Sequence, residues 1–304
     1  MTRSVLVTGA GGFVGSHLAE GFLALGYEVV ALDQAFDART RERLAGARLL
    51  ATPLTPEALA GVNRVDVVVH GAAITTPPVE FGLSGAGHVA ANMDLLGTSL
   101  DWALARGVEQ FVFLSSSGVF SAGDGGAVQL ESASPTSTEP YALAKRAGED
   151  AVTAAAGRLQ AIAVRLGPIY GPHEAPRGTR TTVSQVRRWL DRAEAGEAII
   201  VRQPEERRDW TFAPDLAGAL HRLLAITPPV TGVVHLCSGQ ILSNLALAQA
   251  IADLLPDARV VVEPETGAVS RRPMGSDRLD LASLGPWTDL ATGLAMARNR
   301  EAVA

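Results

Sequence analysis

Short β-branched runs alternate with longer stretches whose apolar positions recur every three or four residues. "SVLVTGA" is apolar and ends in glycines, and "GFVGSHLAEGFLALG" after it has helical period, with Gly26 placed to stop the helix. "YEVVALD" and "VDVVVHGAA" read as further strands, the second apolar on both faces as a buried parallel strand must be. "NMDLLGTSLDWALARG" predicts a helix ending at Gly107. "EQFVFLSSS" predicts a strand ending in serines. "EPYALAKRAGEDAVTAAA" predicts a helix with Pro140 near its start, where a missing N–H costs little. "QAIAVRL" predicts the next strand, and alternation up to Leu166 implies an α/β fold: a doubly wound parallel sheet with helices on both faces.

Beyond Leu166 the regularity weakens. "GPHEAPRGTRTT" reads as a loop, "VSQVRRWLDRAEAG" as a helix, "EAIIV" as a strand and "PEERRDWTF" as a polar stretch. "APDLAGALHRLLAI" is helical, "GVVHLCSG" a strand, "SNLALAQAIADLLP" a helix capped by Ser243 or Asn244, and "ARVVVEP" a last strand. The segment from Arg271 onward is mixed. The expected organisation is a cofactor-binding domain of residues 1–166 plus about 205–240, and a smaller mixed substrate-binding domain of about 167–204 and 241–304.

Ligands of open α/β sheets sit beyond the carboxyl ends of the strands. The first glycines, Asp33, the His70 segment and Ser115–Ser117 all fall there. Gly9, Gly12 and Gly15 lie between a strand and a helix, so backbone N–H groups and a helix N-terminus can meet a pyrophosphate. An acid stands about 20 residues on, Asp33 at the end of "VVALD". A carboxylate there can take both ribose hydroxyls and repels a 2′-phosphate, which favours NAD over NADP.

Tyr141 and Lys145 share a helix face at i, i+4. A free phenol ionises near pH ~10, and a neighbouring ammonium favours phenolate. Such a pair suits a reaction that removes a hydroxyl proton while hydride leaves the carbon. A serine hydroxyl from Ser115–Ser117 is the natural second group on that oxygen.

Composition narrows the classes. The chain has 304 residues, 47% of them apolar and 19% charged, which fits one large or two unequal globular domains. Net charge is −6 and no basic block exists, so a nucleic-acid partner has no electrostatic footprint. The single cysteine, Cys237, forms no intrachain disulfide, and no metal site is expected. No apolar run approaches ~18 residues and "MTRSVLVTGAGG" is no signal peptide, so a soluble, cytoplasmic protein without a membrane partner is expected.

At these residues the sequence resembles the extended short-chain dehydrogenase/reductase family, the NAD-dependent epimerase/dehydratase group, over nearly its whole length. "TGAGGFVG" resembles the TGxxGxxG loop, "HGAA" the H-x-A-A strand end, "SSSGVF" the S-S-x-x-V-Y-G segment and "YALAK" the Y-x-x-x-K motif. "RLGPIYGP" resembles R-x-x-N-V-Y-G-P, "RDWTFAPD" resembles R-D-F-x-x-V-x-D, and "NMDLLGT" a shifted N-V-x-G-T. "RRPMGSDRLDLASLGPW" resembles a shortened C-terminal motif. The resemblance implies a Rossmann fold with NAD as cofactor. It implies Tyr141 as general acid/base, Lys145 lowering its pKa and holding the nicotinamide ribose, and Ser116 as the catalytic serine. It places Gly9, Gly12, Phe13, Val14, Gly15, Asp33, Leu54, Ala72, Ala73, Asn92, Ser115, Leu166 and Pro168 along the cofactor, with Asn92 also supporting the active-site hydrogen bonds. It also implies a homodimer through helices around Leu95–Arg106 and Tyr141–Ala156.

Departures from the family pattern bear on the reaction. Family dehydratases carry an acidic pair where this chain has Ser117 and Gly118, which argues against dehydration. Pro168 replaces an asparagine that contacts a substrate diphosphate, whereas Arg208, which often binds it, is present. Thr75, Thr76, Ser117, Tyr170, His173 and Arg208 are the candidate substrate residues, with Trp210 a further loop candidate. His70 reads as structural. Three functions compete: an NAD-dependent epimerase of a sugar or nucleotide sugar; a plain dehydrogenase of a sugar, sugar acid or related alcohol; and a non-catalytic NAD sensor, which retention of Ser116, Tyr141 and Lys145 disfavours.

Overall fold

The computed structural model describes residues 2–178, 180–265, 267 and 269–299. In chain order it opens with β1 (Ser4–Thr8), α1 (Phe13–Ala24), β2 (Glu28–Asp33), α2 (Ala38–Arg43), β3 (Arg48–Ala51), α3 (Pro56–Ala60), β4 (Val67–His70), α4 (Gly85–Ala105), β5 (Gln110–Ser116), α5 (Pro140–Ala155) and β6 (Gln160–Leu166). Then come β7 (Ile169–Tyr170), α6 (Gln185–Glu194), β8 (Ile199–Val201), β9 (Arg207–Asp209), β10 (Thr211–Phe212), α7 (Asp215–Leu224), β11 (Gly232–Leu236), β12 (Ile241–Ser243), α8 (Asn244–Ala252), β13 (Val260–Val262) and α9 (Leu290–Arg298).

Seven parallel strands form the main sheet in the order β11-β6-β5-β4-β1-β2-β3. The sheet is a Rossmann-type core with its switch point between β1 and β4. Val5, Val7, Val112, Val164 and Val234 point to one face and pack with Leu18 and Phe22 of α1 and Leu216 and Leu220 of α7. Leu6, Val68, Phe111 and Phe113 point to the other, with Leu96 and Leu100 of α4 and Val152 of α5. A third core, with Trp189, Leu190, Phe212, Leu247 and Leu294, lies among α6, α8, α9 and the short strands beyond β6.

Several elements differ from their sequence expectation. Helix α4 begins at Gly85, well before Asn92, because Ser84 caps it through the Gly87 N–H. Of the two caps expected for α8, Ser243 serves, accepting from the Ala246 N–H at 3.1 Å. The polar stretch around Arg207 holds β9, which pairs antiparallel with β12. The short α2, β3 and α3 and the C-terminal α9 carry too little periodicity to stand out in the sequence.

Between α5, β5, β6 and β11 runs a buried polar chain. Ser115 Oγ donates to Glu149 Oε1 at 2.6 Å, and Arg165 donates to both Glu149 oxygens at 2.8 and 2.7 Å. Arg165 Nη1 lies 3.4 Å from His235 Nε2, and the Glu149 and Arg165 side chains are each 5% exposed. Removing one member leaves the other charge buried and unpaired. Glu149→Ala is therefore expected to cost about 3–5 kcal/mol of stability, read as a lower urea midpoint at unchanged slope.

Candidate active site

The turn after β1 is shaped by backbone proximity. Gly9 has φ +72°, and a Cβ there would lie 2.7 Å from the Gly71 and Ala72 backbone. A Cβ on Gly15 would lie 2.1 Å from the Gly9 oxygen, so only glycine lets α1 start against this turn. A Cβ on Gly12 would meet the same oxygen at 3.1 Å. The first turn of α1 thus brings its free N–H groups to the sheet edge. Asp33 ends β2 beside it and accepts from the Gly11 N–H at 2.9 Å. Burial raises the Asp33 carboxyl, opposed by the N–H groups of Ala35, Gly11 and Gln34 and the charge of Arg177.

From this corner a cleft of ≈ 1020 Å³ runs along the strand ends. Gly9, Gly12, Phe13, Val14, Gly15 and Asp33 line one end. Leu54, Ala72, Ala73, Leu166 and Pro168 also line it. Ser116, Tyr141 and Lys145 line the same cleft. Such a trough, with a helix N-terminus at one end and an acceptor carboxylate beside it, fits a dinucleotide.

Lys145 is 5% exposed and its Nζ donates to the Leu114 carbonyl at 2.7 Å. The ammonium lies 5.5 Å from the Tyr141 ring centre and 4.7 Å from that of Phe113. Burial lowers Lys145 to about 8, opposed by the Glu149 charge. Burial pushes the Tyr141 phenol up to about 12; the Ser116 hydroxyl and the Arg180 charge pull it down. Ser116 Oγ accepts from the Gly118 N–H at 3.0 Å, which fixes the side chain at the strand end.

Neighbouring candidates divide. The Ser115 backbone borders the cleft, but its hydroxyl is committed to Glu149, since alternation in β5 turns it away from Ser116. Asn92 does not line the cleft. Its Oδ1 accepts from the Ile74 N–H at 2.9 Å and its Nδ2 donates to the Ile74 and His88 carbonyls, so it holds the cleft wall rather than a ligand. His70 is buried between Thr8 and Ser99, whose hydroxyls lie 3.1 and 2.7 Å from Nδ1, a structural role.

Of the substrate candidates, Thr75 and Arg208 line the cleft, as does Trp210. Thr76 is 2% exposed and borders a smaller side pocket. Ser117 begins a single 3-10 turn and does not line the cleft. Tyr170 is corrected outright: it is 1% exposed, packs 5.5 Å from Phe212 and points into the third core. His173 is corrected too, since its ring stacks 6.0 Å from His17 and not in the cleft. Sequence reasoning missed Arg177, Arg180, Arg188 and Arg271, which join Arg208 on the cleft wall. They lie in the aperiodic stretch after Pro172, on α6 and in the C-terminal segment, and only folding brings them together.

Residues 5–232 match the NAD dependent epimerase/dehydratase family. The chain belongs to that family. It is 32% identical to a dTDP-4-dehydro-6-deoxy-D-allose reductase of a Streptomyces species over 241 residues, 73% of this chain and 72% of that protein. It is 24% identical to the uncharacterized UDP-glucose epimerase YtcB of Bacillus subtilis over 82% of this chain and 81% of that one. Among solved structures it matches Thermus thermophilus UDP-glucose 4-epimerase in complex with NAD at TM-score 0.79 and 24% identity, covering 98% of each chain. The family is NAD-dependent and its members are enzymes of the extended short-chain dehydrogenase/reductase type. No described helix is long and apolar enough to cross a membrane, and the described residues hold no cluster of three metal-ligating side chains.

Two predictions arise from this site. Gly15→Ala sets a methyl 2.1 Å from the Gly9 carbonyl oxygen, forces α1 away from the turn, and should both lower the thermal midpoint and weaken NAD binding at least about tenfold in a direct titration. Asp209, behind the cleft, is 1% exposed; its Oδ1 accepts from the Met274 N–H at 2.8 Å and its Oδ2 has no partner. Burial raises this carboxyl from 3.8 to about 7. Between those values the unfolded chain has lost the proton that the folded chain keeps, so stability falls as pH rises. Asp209→Asn should flatten that fall in thermal midpoints measured across the window.

Proposed function

We propose that the chain is an NAD-dependent epimerase of a nucleoside-diphosphate sugar, with Tyr141 as its acid/base. The observation that carries this reading is the convergence of Arg180, Arg188, Arg208 and Arg271 on the cleft that also holds Ser116, Tyr141 and Lys145. In a chain of net charge −6 such a grouping calls for an anion, and guanidinium forks match phosphate oxygens. It offsets the lost side-chain donor at Pro168.

NAD held by the β1 turn, Asp33 and Lys145 would supply the hydride acceptor and donor for the carbinol carbon. Tyr141 takes the carbinol proton as the carbonyl forms and returns it when the alcohol is rebuilt. Ser116 hydrogen-bonds the same oxygen. The Arg180 charge favours the phenolate against the cost of burial, and the Lys145 ammonium stands 5.5 Å from the Tyr141 ring centre. Presenting the other face of the ketone before the hydride returns inverts the carbon. No acid stands at Ser117 or Gly118 to eject a hydroxyl, so the alcohol survives.

A strap from the loop after β7 favours the epimerase over a dehydrogenase that exchanges its cofactor. Pro172 O lies 2.9 Å from His17 Nε2, Arg177 pairs with Asp37 and donates to Thr40 at 3.3 Å, and Arg180 lies 5.2 Å over the Phe13 ring. These contacts tie the loop to α1 and α2 beside the phosphate turn.

The deciding experiment is extensive dialysis, followed by denaturation and measurement of released NAD(H). Near-stoichiometric cofactor, with isomerisation of nucleotide sugars in the absence of added NAD, is expected. An empty protein that forms NADH from an alcohol would replace the epimerase with a dehydrogenase. Tyr141→Phe should lower turnover by about 10²–10⁴-fold while NAD binding is kept, and near-normal turnover would remove Tyr141 from the chemistry.

A further inference from the structure

A side pocket of ≈ 160 Å³ opens off the main cleft, lined by Thr75, Thr76, Arg180, Thr181 and Thr182. Three of these, Thr75, Arg180 and Thr182, also line the cleft, so the two spaces are continuous at the sugar end. Two buried polar atoms here have no hydrogen-bond partner. One is Oγ1 of Thr76, a residue 2% exposed. The other is Nη1 of Arg180.

Buried donors without partners are rare, and each calls for an explanation. Arg180 already spends Nη2 on Glu174 Oε1 at 2.6 Å, and Glu174 is itself filled by the Ser184 N–H at 2.8 Å and the Ser184 hydroxyl at 2.6 Å. The pair is therefore fixed in place with both N–H bonds of Nη1 left over. A guanidinium has no acceptor, so whatever meets Nη1 must bring one. The Thr76 hydroxyl needs a partner in the same small space.

We propose that this pocket is a carboxylate subsite and that the substrate is a nucleoside-diphosphate sugar whose ring carries a carboxylate beside the reacting carbinol. This rests on the nucleotide-sugar reading above and narrows it. A carboxylate offers two acceptor oxygens, one for Arg180 Nη1 and one for the Thr76 hydroxyl. A hydroxymethyl group brings an uncharged oxygen and gives Arg180 only a neutral acceptor, whereas a carboxylate gives it a charge-assisted one and still has a second oxygen for the Thr76 hydroxyl. The pocket is too small for a nucleotide but ample for a carboxylate. Arg180 and Tyr141 line the same cleft and the Arg180 charge acts on the phenol, so an acid held here sits at the reacting end of that cleft.

The test is calorimetric titration of the NAD-loaded protein with UDP, UDP-glucose and UDP-glucuronate, and with the thymidine diphosphate counterparts. UDP-glucuronate or its thymidine analogue should bind at least about tenfold tighter than the corresponding hexose, the increment of one charge-assisted hydrogen bond. Thr76→Val, close to isosteric, should collapse that ratio toward one while the affinity for the bare diphosphate is kept. Arg180→Gln should lower the same ratio, but Arg180 also stands among the cleft arginines, so retention of the bare diphosphate is read from Thr76→Val, which carries the test alone if Arg180→Gln does not fold. Equal binding of hexose and hexuronate by a protein that does bind the diphosphate would overturn the subsite and leave the nucleotide-sugar reading standing. Failure to bind either diphosphate would remove both.

Discussion

Lys145 is the one ammonium the fold takes almost wholly out of water, and the Leu114 carbonyl at 2.7 Å is what permits it. That bond joins the middle of α5 to the end of β5. It sets Tyr141, one turn earlier on α5, beside Ser116, two residues after Leu114. The helix can come this close only because position 148 is glycine. A Cβ there would lie 2.5 Å from Phe113 Cζ and 3.1 Å from Leu96, so the helix would lift from the sheet and the ammonium would lose its carbonyl. The buried Glu149–Arg165 pair, one residue further along, fixes the same helix from its other flank. Reactive geometry and core packing are here one set of contacts.

Elements with a strong period were legible. The β1 turn and its glycines, the strand alternation up to β6 and the Tyr141–Lys145 spacing all rest on local rules. What the sequence hid was orientation and long-range assembly. Ser115 and Ser116 are adjacent and chemically alike, and only the pleat decides that Ser115 feeds Glu149 while Ser116 faces Tyr141. Tyr170 follows a motif whose neighbours line the cleft. Yet β7 pairs with β10 and turns the ring onto Phe212, where Gly293 of α9 leaves room for it. Asn92 looked like a ligand contact and is a brace, because α4 starts early enough to place it beneath Ile74.

The arginines show the other side of that limit. Arg177 and Arg180 lie in a loop without period, and Arg271 lies far from them in sequence. Each has a carboxylate neighbour: Arg177 has Asp37 and Arg180 has Glu174, while Glu206 accepts from the Arg271 N–H and stands 3.5 Å from Arg208. Partners of this kind offset the cost of crowding cations in a half-closed cleft. They also mean that a bound anion gains little from excess charge alone. It must instead reach the donors that these carboxylates leave unused. Burial and the neighbouring Arg208 lower Arg271, as expected where like charges crowd and water is scarce. Selection among anionic sugars then falls to the direction of the free N–H and O–H groups, so Nη1 of Arg180 and the hydroxyl of Thr76 carry more of the specificity than the number of charges around them.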